Sequence, residues 1–412
     1  MKDIILYLPS KVLPGALAIF TISLLTRTLS VEDFGRYSYF LAIGSLLTVS
    51  LFSWLTLGVN RHYLNEANEI NNEIKESALF VNFIIISVSC SVLFVVIAFF
   101  NIDFVYILIL LIAWLNGLFD LLQQASILEK RKVVYSISVM VRPIFLFAIA
   151  LVAFFTEQVN IVHLLFVIIA SYIFSCAFLY LSTWKNITPL KLHKKELTNL
   201  FHYGIPLTLN FGLMYIVSSS DKLLISTYLT EQDLGIYSAS YDLFSQIVFG
   251  FGSILTLVLF PTSLKAFNQG SSYFQVTTKK NIKTAMLYLI ALITMLVLCS
   301  PLLISIGLAE AYHTFANQYF TIIVTMTALY CFYSYVFIPI LQLKKQVKKI
   351  LFCSMIMAFT NILINIIFLE KYGIKVGIYS TLAAYVAGFA VCLFFTQQVW
   401  LGKVSKVELN HD

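Results

Sequence analysis

This 412-residue sequence has few charged residues, since only 11% of its residues are Asp, Glu, Lys or Arg. About a quarter of the residues of a soluble domain are charged, because its surface must face water. Here 60% of the residues are hydrophobic instead. The shortage of charge excludes a soluble globular protein and predicts that lipid surrounds most of the chain.

Paired cysteines and metal-ligand spacings are also missing. The six cysteines fall within apolar stretches without CxxC spacing, and the six histidines are scattered. We interpret the cysteines as small hydrophobic residues of membrane helices, and we expect neither disulfides nor a metal site. No Walker loop occurs, so the chain is not expected to hydrolyse ATP by itself.

Apolar stretches long enough to cross a bilayer, about 20 residues, recur along the whole chain. They are too long and too uniformly apolar for the alternating strands of a membrane barrel, so they predict helices. The expected fold is an all-α polytopic membrane protein of about twelve transmembrane helices. The predicted spans are 4–28, 34–59, 77–100, 104–126, 133–155, 161–183, 203–227, 234–261, 284–308, 317–342, 350–369 and 377–400.

The orientation follows from Lys and Arg, which concentrate in cytoplasmic loops of membrane proteins. With the N-terminus in the cytoplasm, most of the 27 Lys and Arg residues fall in cytoplasmic segments. This alternation predicts an even number of helices and two cytoplasmic termini. The net charge of +7 is spread over short loops, so a nucleic-acid-binding domain is not expected.

An internal repeat divides the sequence. Residues 29–38 align with residues 229–238, and five of the ten positions are identical, including Asp33 with Asp233. Each copy joins the first and second helices of its half, where we expect the aspartates to cap a helix. The repeat predicts two bundles of six helices, 1–184 and 203–412, joined by a basic cytoplasmic linker over 185–202. A pseudo-twofold axis along the membrane normal would relate them.

Ionisable residues inside the spans are the candidates for function, because each costs about 2.5–3.5 kcal/mol at a helix centre. Arg142 lies near the middle of the fifth span and precedes Pro143. It is our first candidate ligand for an anionic head group. The alternative is a salt bridge to another helix, for example to Asp120.

Three further cations are weaker candidates for the same role. Lys222 follows Asp221 in the seventh span, where the pair either neutralises itself or faces different partners. Arg27 flanks the first outer turn, where it snorkels to the interface or turns inward. Lys11 lies early in the first span, where it reaches the cytoplasm or lines an inner vestibule.

The carboxylates Asp120, Asp242 and Asp221 are candidates for ion coupling. Buried carboxylates can carry protons or coordinate Na⁺, which would couple transport to an ion gradient. The alternative is that they are counter-ions of Arg142 or Lys222. No other cofactor is expected, and the choice between H⁺ and Na⁺ stays open.

Asparagines and prolines within the spans have more modest interpretations. We expect the asparagines to form inter-helix hydrogen bonds rather than to bind ligands. Prolines kink helices, which makes them either hinges for alternating access or tolerated bends. These residues are Asn210, Asn361, Asn365, Pro14, Pro143, Pro206, Pro301 and Pro339.

Several segments resemble a known family. These are LLTRTLSVEDFGRYSYF, WLTLGVNRHYLNE, YGIPLTLNFGLMYIVSSSDKLLIS, DLGIYSASYDL and NIIFLEKYGIKVGIYSTLAAY. They are similar to counterparts in the bacterial polysaccharide-export flippases, the O-antigen or capsule repeat-unit translocases often called Wzx. That family belongs to the multidrug/oligosaccharidyl-lipid/polysaccharide exporter superfamily. The resemblance runs from Leu24 to about Tyr385.

The resemblance implies two six-helix bundles forming a V around a cationic cavity in the bacterial cytoplasmic membrane. The implied substrate is an oligosaccharide on undecaprenyl diphosphate, and a glycan polymerase and a chain-length regulator are the implied partners. The implied activity is transport rather than catalysis. Related lipid II flippases usually have fourteen helices and more cavity arginines near the start of the chain, which argues against lipid II as the substrate.

Three other functions remain open. A drug or cation antiporter of the same superfamily would need an acidic cavity, whereas these charges are mixed to basic. A glycan polymerase or ligase would need a long outer loop, and the predicted outer loops are short. A non-transporting membrane component of a glycan assembly complex is the third.

Overall fold

The computed structural model describes residues 2–64, 70–100, 103–156, 159–187 and 191–400, with side chains described from residue 13 onward except at 98 and 100. Every regular element in these ranges is a helix. In the first half, α1 spans Lys2–Thr28, α2 Val31–His62, α3 Asn72–Phe100, α4 Val105–Leu128, α5 Lys132–Thr156, α6 Ile161–Leu179 and α7 Lys194–Tyr228. In the second, α8 spans Glu231–Asn268, α9 Ser271–Leu298, α10 Ser300–Gly307, α11 His313–Phe332, α12 Ile338–Leu343, α13 Val347–Tyr372 and α14 Lys375–Trp400.

The helices account for the predicted membrane spans. Eleven helical segments in the described ranges are long and apolar enough to cross a bilayer, and α1 adds the shorter apolar stretch Leu13–Thr28. The prediction of an all-α membrane protein with about twelve spans is confirmed. One difference lies at α7, which begins at Lys194 and not near 203, so much of the predicted linker is helical.

Prolines interrupt two of the predicted spans. The span over 284–308 corresponds to the later part of α9, which begins earlier than predicted, at Ser271, and to α10. The two helices meet at Cys299, just before Pro301 in the first turn of α10. The span over 317–342 consists of α11, a π-helical turn at Tyr333–Phe337 and α12, which has Pro339 at its start. Proline lacks a backbone N–H, so it fits the first turn of a helix better than the interior.

Backbone contacts divide the chain into two units, residues 1–215 and 216–412, which we call unit 1 and unit 2. The six-helix bundles expected at 1–184 and 203–412 stay a prediction. In unit 1, the core packs around Leu55, Leu121, Trp184 and Leu200. The start of α7 lies directly on α2, because a Cβ at Gly204 would collide with the backbone carbonyl of Trp54.

The core of unit 2 is built around aromatic side chains. The rings of Tyr237 and Tyr241, one turn apart on α8, stack with centroids 5.5 Å apart. Tyr385 of α14 lies against Tyr330 of α11 with ring centroids 4.7 Å apart. Tyr237, Tyr241 and Tyr385 are all buried. With Tyr330, these residues bring four phenol groups into the aromatic core of unit 2.

The two copies of the internal repeat have the same local structure. Ser30 caps α2 by accepting a hydrogen bond from the backbone N–H of Asp33 at 3.0 Å, and Thr230 caps α8 in the same way with Asp233 at 3.1 Å. The N-cap residues are therefore Ser30 and Thr230. Asp233 also takes part in capping α8, as expected, because its carboxylate accepts a hydrogen bond from the backbone N–H of Thr230 at 3.3 Å. Each aspartate also accepts a hydrogen bond from its capping hydroxyl, at 2.8 and 2.7 Å.

Candidate functional site

Arg142 is the described cation of unit 1 that lies near the middle of a membrane span. It lies in α5, directly before Pro143, and its guanidinium carbon is 5.2 Å from the centre of the Tyr172 ring on α6. Within the described residues it makes no hydrogen bond and no ion pair within 4.0 Å. Since a guanidinium carries five N–H donors, Arg142 retains its full capacity to bind an anion. The salt bridge to Asp120 that we considered as an alternative is not formed.

A chain of hydrogen bonds holds the ring beneath Arg142. The hydroxyl of Tyr172 donates to Oδ1 of Asn116 at 2.9 Å, and Nδ2 of Asn116 donates to Oγ1 of Thr48 at 3.3 Å. Thr48 in turn donates to the carbonyl oxygen of Ala113 at 3.0 Å. Tyr172 is only 2% exposed. The ring is therefore fixed by polar contacts to α4 and α2, and it presents a stable face to the cation.

Asp120 lies on α4 and interacts electrostatically with Arg142 over a distance longer than an ion pair. Its carboxylate makes no hydrogen bond within the described residues. Asp120 also interacts electrostatically with Tyr172. The three side chains of Arg142, Tyr172 and Asp120 therefore form one electrostatically coupled cluster in unit 1.

The other cations proposed for unit 1 are placed differently. Arg27 is exposed and donates from Nη1 to the carbonyl oxygen and to Oγ of Ser23, at 2.8 and 2.5 Å. The nearby Arg36 forms an exposed ion pair with Glu32 at 2.9 Å. The side chain of Lys11 lies outside the described residues. Neither described arginine joins the cluster around Arg142.

Lys222 in unit 2 has a direct counter-ion. Its Nζ lies 2.7 Å from Oδ2 of Asp242 on α8, and the two side chains are 13% and 32% exposed. The neighbouring Asp221 points to a different set of partners. Of the arrangements considered, the structure shows Lys222 and Asp221 with separate partners, and Asp242 as a counter-ion.

Asp221 lies at the centre of a buried polar cluster, and only 2% of its surface is exposed. Its carboxylate accepts hydrogen bonds from five side chains on α8, α13 and α14. The donors are Thr381 Oγ1 at 2.5 Å, Asn365 Nδ2 at 2.7 Å, Tyr237 OH at 2.8 Å, Asn361 Nδ2 at 3.0 Å and Ser380 Oγ at 3.3 Å. No cation lies within 4.0 Å of this carboxylate in the part of the chain that the structure describes.

One acceptor of this cluster is left over. Asn365 Oδ1 is buried and has no hydrogen-bond partner among the described groups, whereas Asn361 Oδ1 accepts from Ser220 Oγ at 2.6 Å. A buried carboxylate beside an unpartnered carbonyl oxygen is a strong acceptor site without a matching positive charge. The cluster can therefore receive a small cation or a proton.

Sequence reasoning missed several of these residues. Tyr172 looks like an ordinary member of an apolar helix, and nothing in its spacing marks it. Two signals were available for the others, since Tyr237 belongs to the internal repeat, and Ser380 and Thr381 lie in a segment that carries the family resemblance. Asn361 was expected to form inter-helix hydrogen bonds, and its bond to Asp221 on α7 is of that kind.

No curated protein matches this chain, whereas a family and several solved structures do. A family described as polysaccharide biosynthesis protein matches residues 24–317. The structure of a lipid II flippase, MurJ, in an inward closed conformation superposes with a TM-score of 0.73 at 15% identity. The alignment covers 95% of this chain and 87% of that one.

Two transporters show the same fold. An inward-facing multidrug resistance MATE family transporter of the MOP superfamily has a TM-score of 0.69 at 12% identity, covering 93% of this chain and 95% of that one. The MATE transporter VcmN of Vibrio cholerae has a TM-score of 0.62 at 12% identity, with coverages of 95% and 94%. These proteins are named as flippases and transporters, in agreement with the prediction that this chain is not an enzyme.

Proposed function

Since the chain belongs to the polysaccharide biosynthesis protein family, we propose that it flips undecaprenyl-diphosphate-linked oligosaccharide repeat units across the bacterial cytoplasmic membrane. The substrate would move from the cytoplasmic to the outer face by alternating access, for assembly of O-antigen or capsule. The family and the flippase fold support transport of this kind. The loop charges support cytoplasmic termini, and a glycan polymerase and a chain-length regulator are the proposed partners.

The observation that carries this proposal is the unpaired guanidinium of Arg142 inside a membrane helix. A diphosphate binds strongly to arginine, because charge-assisted bidentate hydrogen bonds gain strength where water is scarce. Tyr172 holds one face of the guanidinium by a cation–π contact of 5.2 Å and leaves its N–H groups open. Among the proposed ligands with described side chains, Arg142 is the one with this capacity.

The remaining cations take secondary roles in the proposal. Lys222 is offset by Asp242 at 2.7 Å, so it would bind phosphate only if that ion pair opened. Arg27 bonds back to Ser23 within its own helix. Both residues, with Lys11, stay proposed contacts for the substrate as it enters or leaves. Asp120 is proposed to limit how tightly the diphosphate is held, since a nearby carboxylate repels it.

We propose the Asp221 cluster as the site of the coupling ion. An ionised carboxylate with no counter-cation is costly in a buried position, so binding H⁺ or Na⁺ there is favourable. The hydrogen-bond donors around Asp221 are hydroxyls and amides, and the oxygen atoms of both groups can also coordinate Na⁺. Because α7, α8, α13 and α14 all contribute side chains, occupation of the site would change the packing of four helices together.

Flipping in proteoliposomes tests the assignment. The full chain would be reconstituted with a fluorescent undecaprenyl-diphosphate oligosaccharide, and the fraction accessible to a membrane-impermeant quencher would be followed with time. We expect Arg142→Gln to slow flipping at least about tenfold and Arg142→Lys to retain part of the rate. The matched control is Arg36→Gln, which removes an exposed arginine paired with Glu32 and should flip normally.

Two results would contradict this function. If Arg142→Gln flipped the substrate as fast as the wild type, Arg142 would not be its ligand. If the wild type did not flip the substrate at all, the chain would be better explained as a non-transporting component of a glycan assembly complex. Transport of a cationic dye without flipping would favour a drug or cation antiporter. The coupling ion is identified separately by imposing either a Na⁺ or a pH gradient, to which Asp221→Asn should no longer respond.

A further inference from the structure

A polar pocket of about 400 Å³ lies among the loops of unit 1, and none of its residues belongs to the clusters described above. The beginning of α3, the turn after α4 and the segment that follows the π-helical turn Tyr180–Trp184 form its wall. The polar side chains that line it include those of Asn72, Lys75, Glu129, Arg131, Lys185 and Asn186. Among the described residues of the lining there are thus three cations and one carboxylate.

Lys75 is the buried cation of this pocket, with 3% of its side chain exposed. Its Nζ lies between two aromatic rings, 5.0 Å from the centre of Tyr63 and 4.9 Å from that of Trp184. Its polar contacts among the described residues are the carbonyl oxygen of Thr183 at 3.4 Å and Oε1 of Glu129 at 3.6 Å. Both are longer than a normal N–H···O bond of about 2.9 Å, so the ammonium group keeps donor capacity.

Glu129 does not neutralise the pocket. Its carboxylate accepts a hydrogen bond from the Tyr63 hydroxyl, and Nε of Arg131 lies 2.7 Å from Oε2. Burial, with the hydrogen bond to Glu129, raises the pKa of Tyr63 above its ordinary value, so this hydroxyl remains a donor. Glu129 is shared between Arg131 and Lys75, so it offsets one of the three positive charges on the described lining of the pocket.

We propose that this pocket binds a phosphate group. The positive end of the α3 dipole and the excess of positive charge on the described lining favour an anion, and the amides of Asn72 and Asn186 add neutral donors. A pocket of this volume holds a phosphate together with part of the molecule that carries it. The carrier is either the head group of an anionic phospholipid, since α3 becomes apolar directly after the pocket, or a soluble phosphorylated compound.

The test uses the full chain and three variants. Lys185→Gln removes an exposed pocket charge without opening the core, whereas Lys75→Gln changes a buried residue and serves as a second variant. Lys191→Gln is the matched control, because it removes an exposed lysine from the same connecting segment outside the pocket. Inorganic phosphate would be titrated at constant ionic strength with chloride as the balancing anion. Tryptophan emission, to which Trp184 beside Lys75 contributes, and the unfolding temperature report binding.

A second arm uses nanodiscs of phosphatidylcholine with or without phosphatidylglycerol, with the unfolding temperature as the readout. We expect the wild type and Lys191→Gln to respond alike, and Lys185→Gln to bind at least about tenfold more weakly or to lose the stabilisation. A response to inorganic phosphate identifies a soluble ligand, and a response to phosphatidylglycerol alone identifies a lipid. No response from the wild type, or equal responses from Lys185→Gln and Lys191→Gln, would overturn the proposal. Since Arg142 is intact in all four proteins, failure here leaves the flippase proposal untouched.

Discussion

The hydroxyl of Tyr172 donates a 2.9 Å hydrogen bond to Asn116, and the ring fixed in this way lies 5.2 Å from the guanidinium carbon of Arg142. Without the ring, a long arginine side chain in a membrane helix has many rotamers and no fixed partner in unit 1. The phenol therefore restrains the cation at little electrostatic cost, because a ring face attracts the guanidinium without accepting its N–H groups. Tyr172 is in this sense a positioning residue for Arg142.

Substitutions at Tyr172 should separate the ring from its hydroxyl. Tyr172→Phe keeps the cation–π contact but frees Asn116, and we expect flipping to slow about fivefold, the equivalent of about 1 kcal/mol. Tyr172→Leu also removes the aromatic face and should slow flipping further. The measurement is the initial rate in proteoliposomes. Phe174→Leu, at a side chain 60% exposed on the same helix, is the control, and equal rates for all four proteins would contradict the positioning role.

The ion pair of unit 2 should show coupling between its members. Lys222→Gln leaves Asp242 without its 2.7 Å partner, and Asp242→Asn leaves Lys222 exposed to a largely apolar environment. We expect each single variant to lower the unfolding temperature, and the double variant to lower it by less than the sum of the two. A coupling of about 1 kcal/mol is reasonable for a half-buried pair. Strict additivity would show that the pair contributes nothing.

Removing the central carboxylate of unit 2 should be much more damaging. Asp221→Ala leaves five buried donors without their acceptor, and we expect a loss of at least about 3 kcal/mol of stability. Asp221→Asn retains an acceptor oxygen and should be tolerated better. Unfolding temperature in detergent is the measurement, with Glu370→Gln at an exposed position of α13 as the control. A fully stable Asp221→Ala would show that the cluster is not structurally coupled.

The sequence was sufficient for the helices but not for the pairing of their polar residues. Long apolar stretches directly reflect the thickness of the bilayer, so most spans were predicted within a few residues. Pro301 and Pro339 were noted as kinks, and the structure shows helix breaks beside both. The early starts of α7 at Lys194 and of α9 at Ser271 were missed, because the first turns of both helices are rich in polar and charged residues and have no hydrophobic signal.

Contacts between distant helices could not be predicted. Asp221 bonds to residues about 140 and 160 positions later in the chain, and no periodicity relates such positions. The same holds for Lys75, whose aromatic neighbours are Tyr63 at the end of α2 and Trp184 in the π-helical turn after α6. A buried charge could be identified from its position in a span, but its partner depends on how the helices pack.

The internal repeat leads to a prediction that joins sequence and structure directly. Ser30 and Thr230 cap helices at equivalent points, with acceptor distances of 3.0 and 3.1 Å, so alanine at either position should cost about 1 kcal/mol. Because the two caps lie in separate units, the effects of Ser30→Ala and Thr230→Ala should be additive in the double variant. The unfolding temperature is the measurement, and Thr227→Ala is the control, since that hydroxyl only bonds back to the carbonyl oxygen of Leu223. A cost at Thr230 with none at Ser30 would mean that the two copies of the repeat, although alike in sequence and local geometry, no longer stabilise their helices equally.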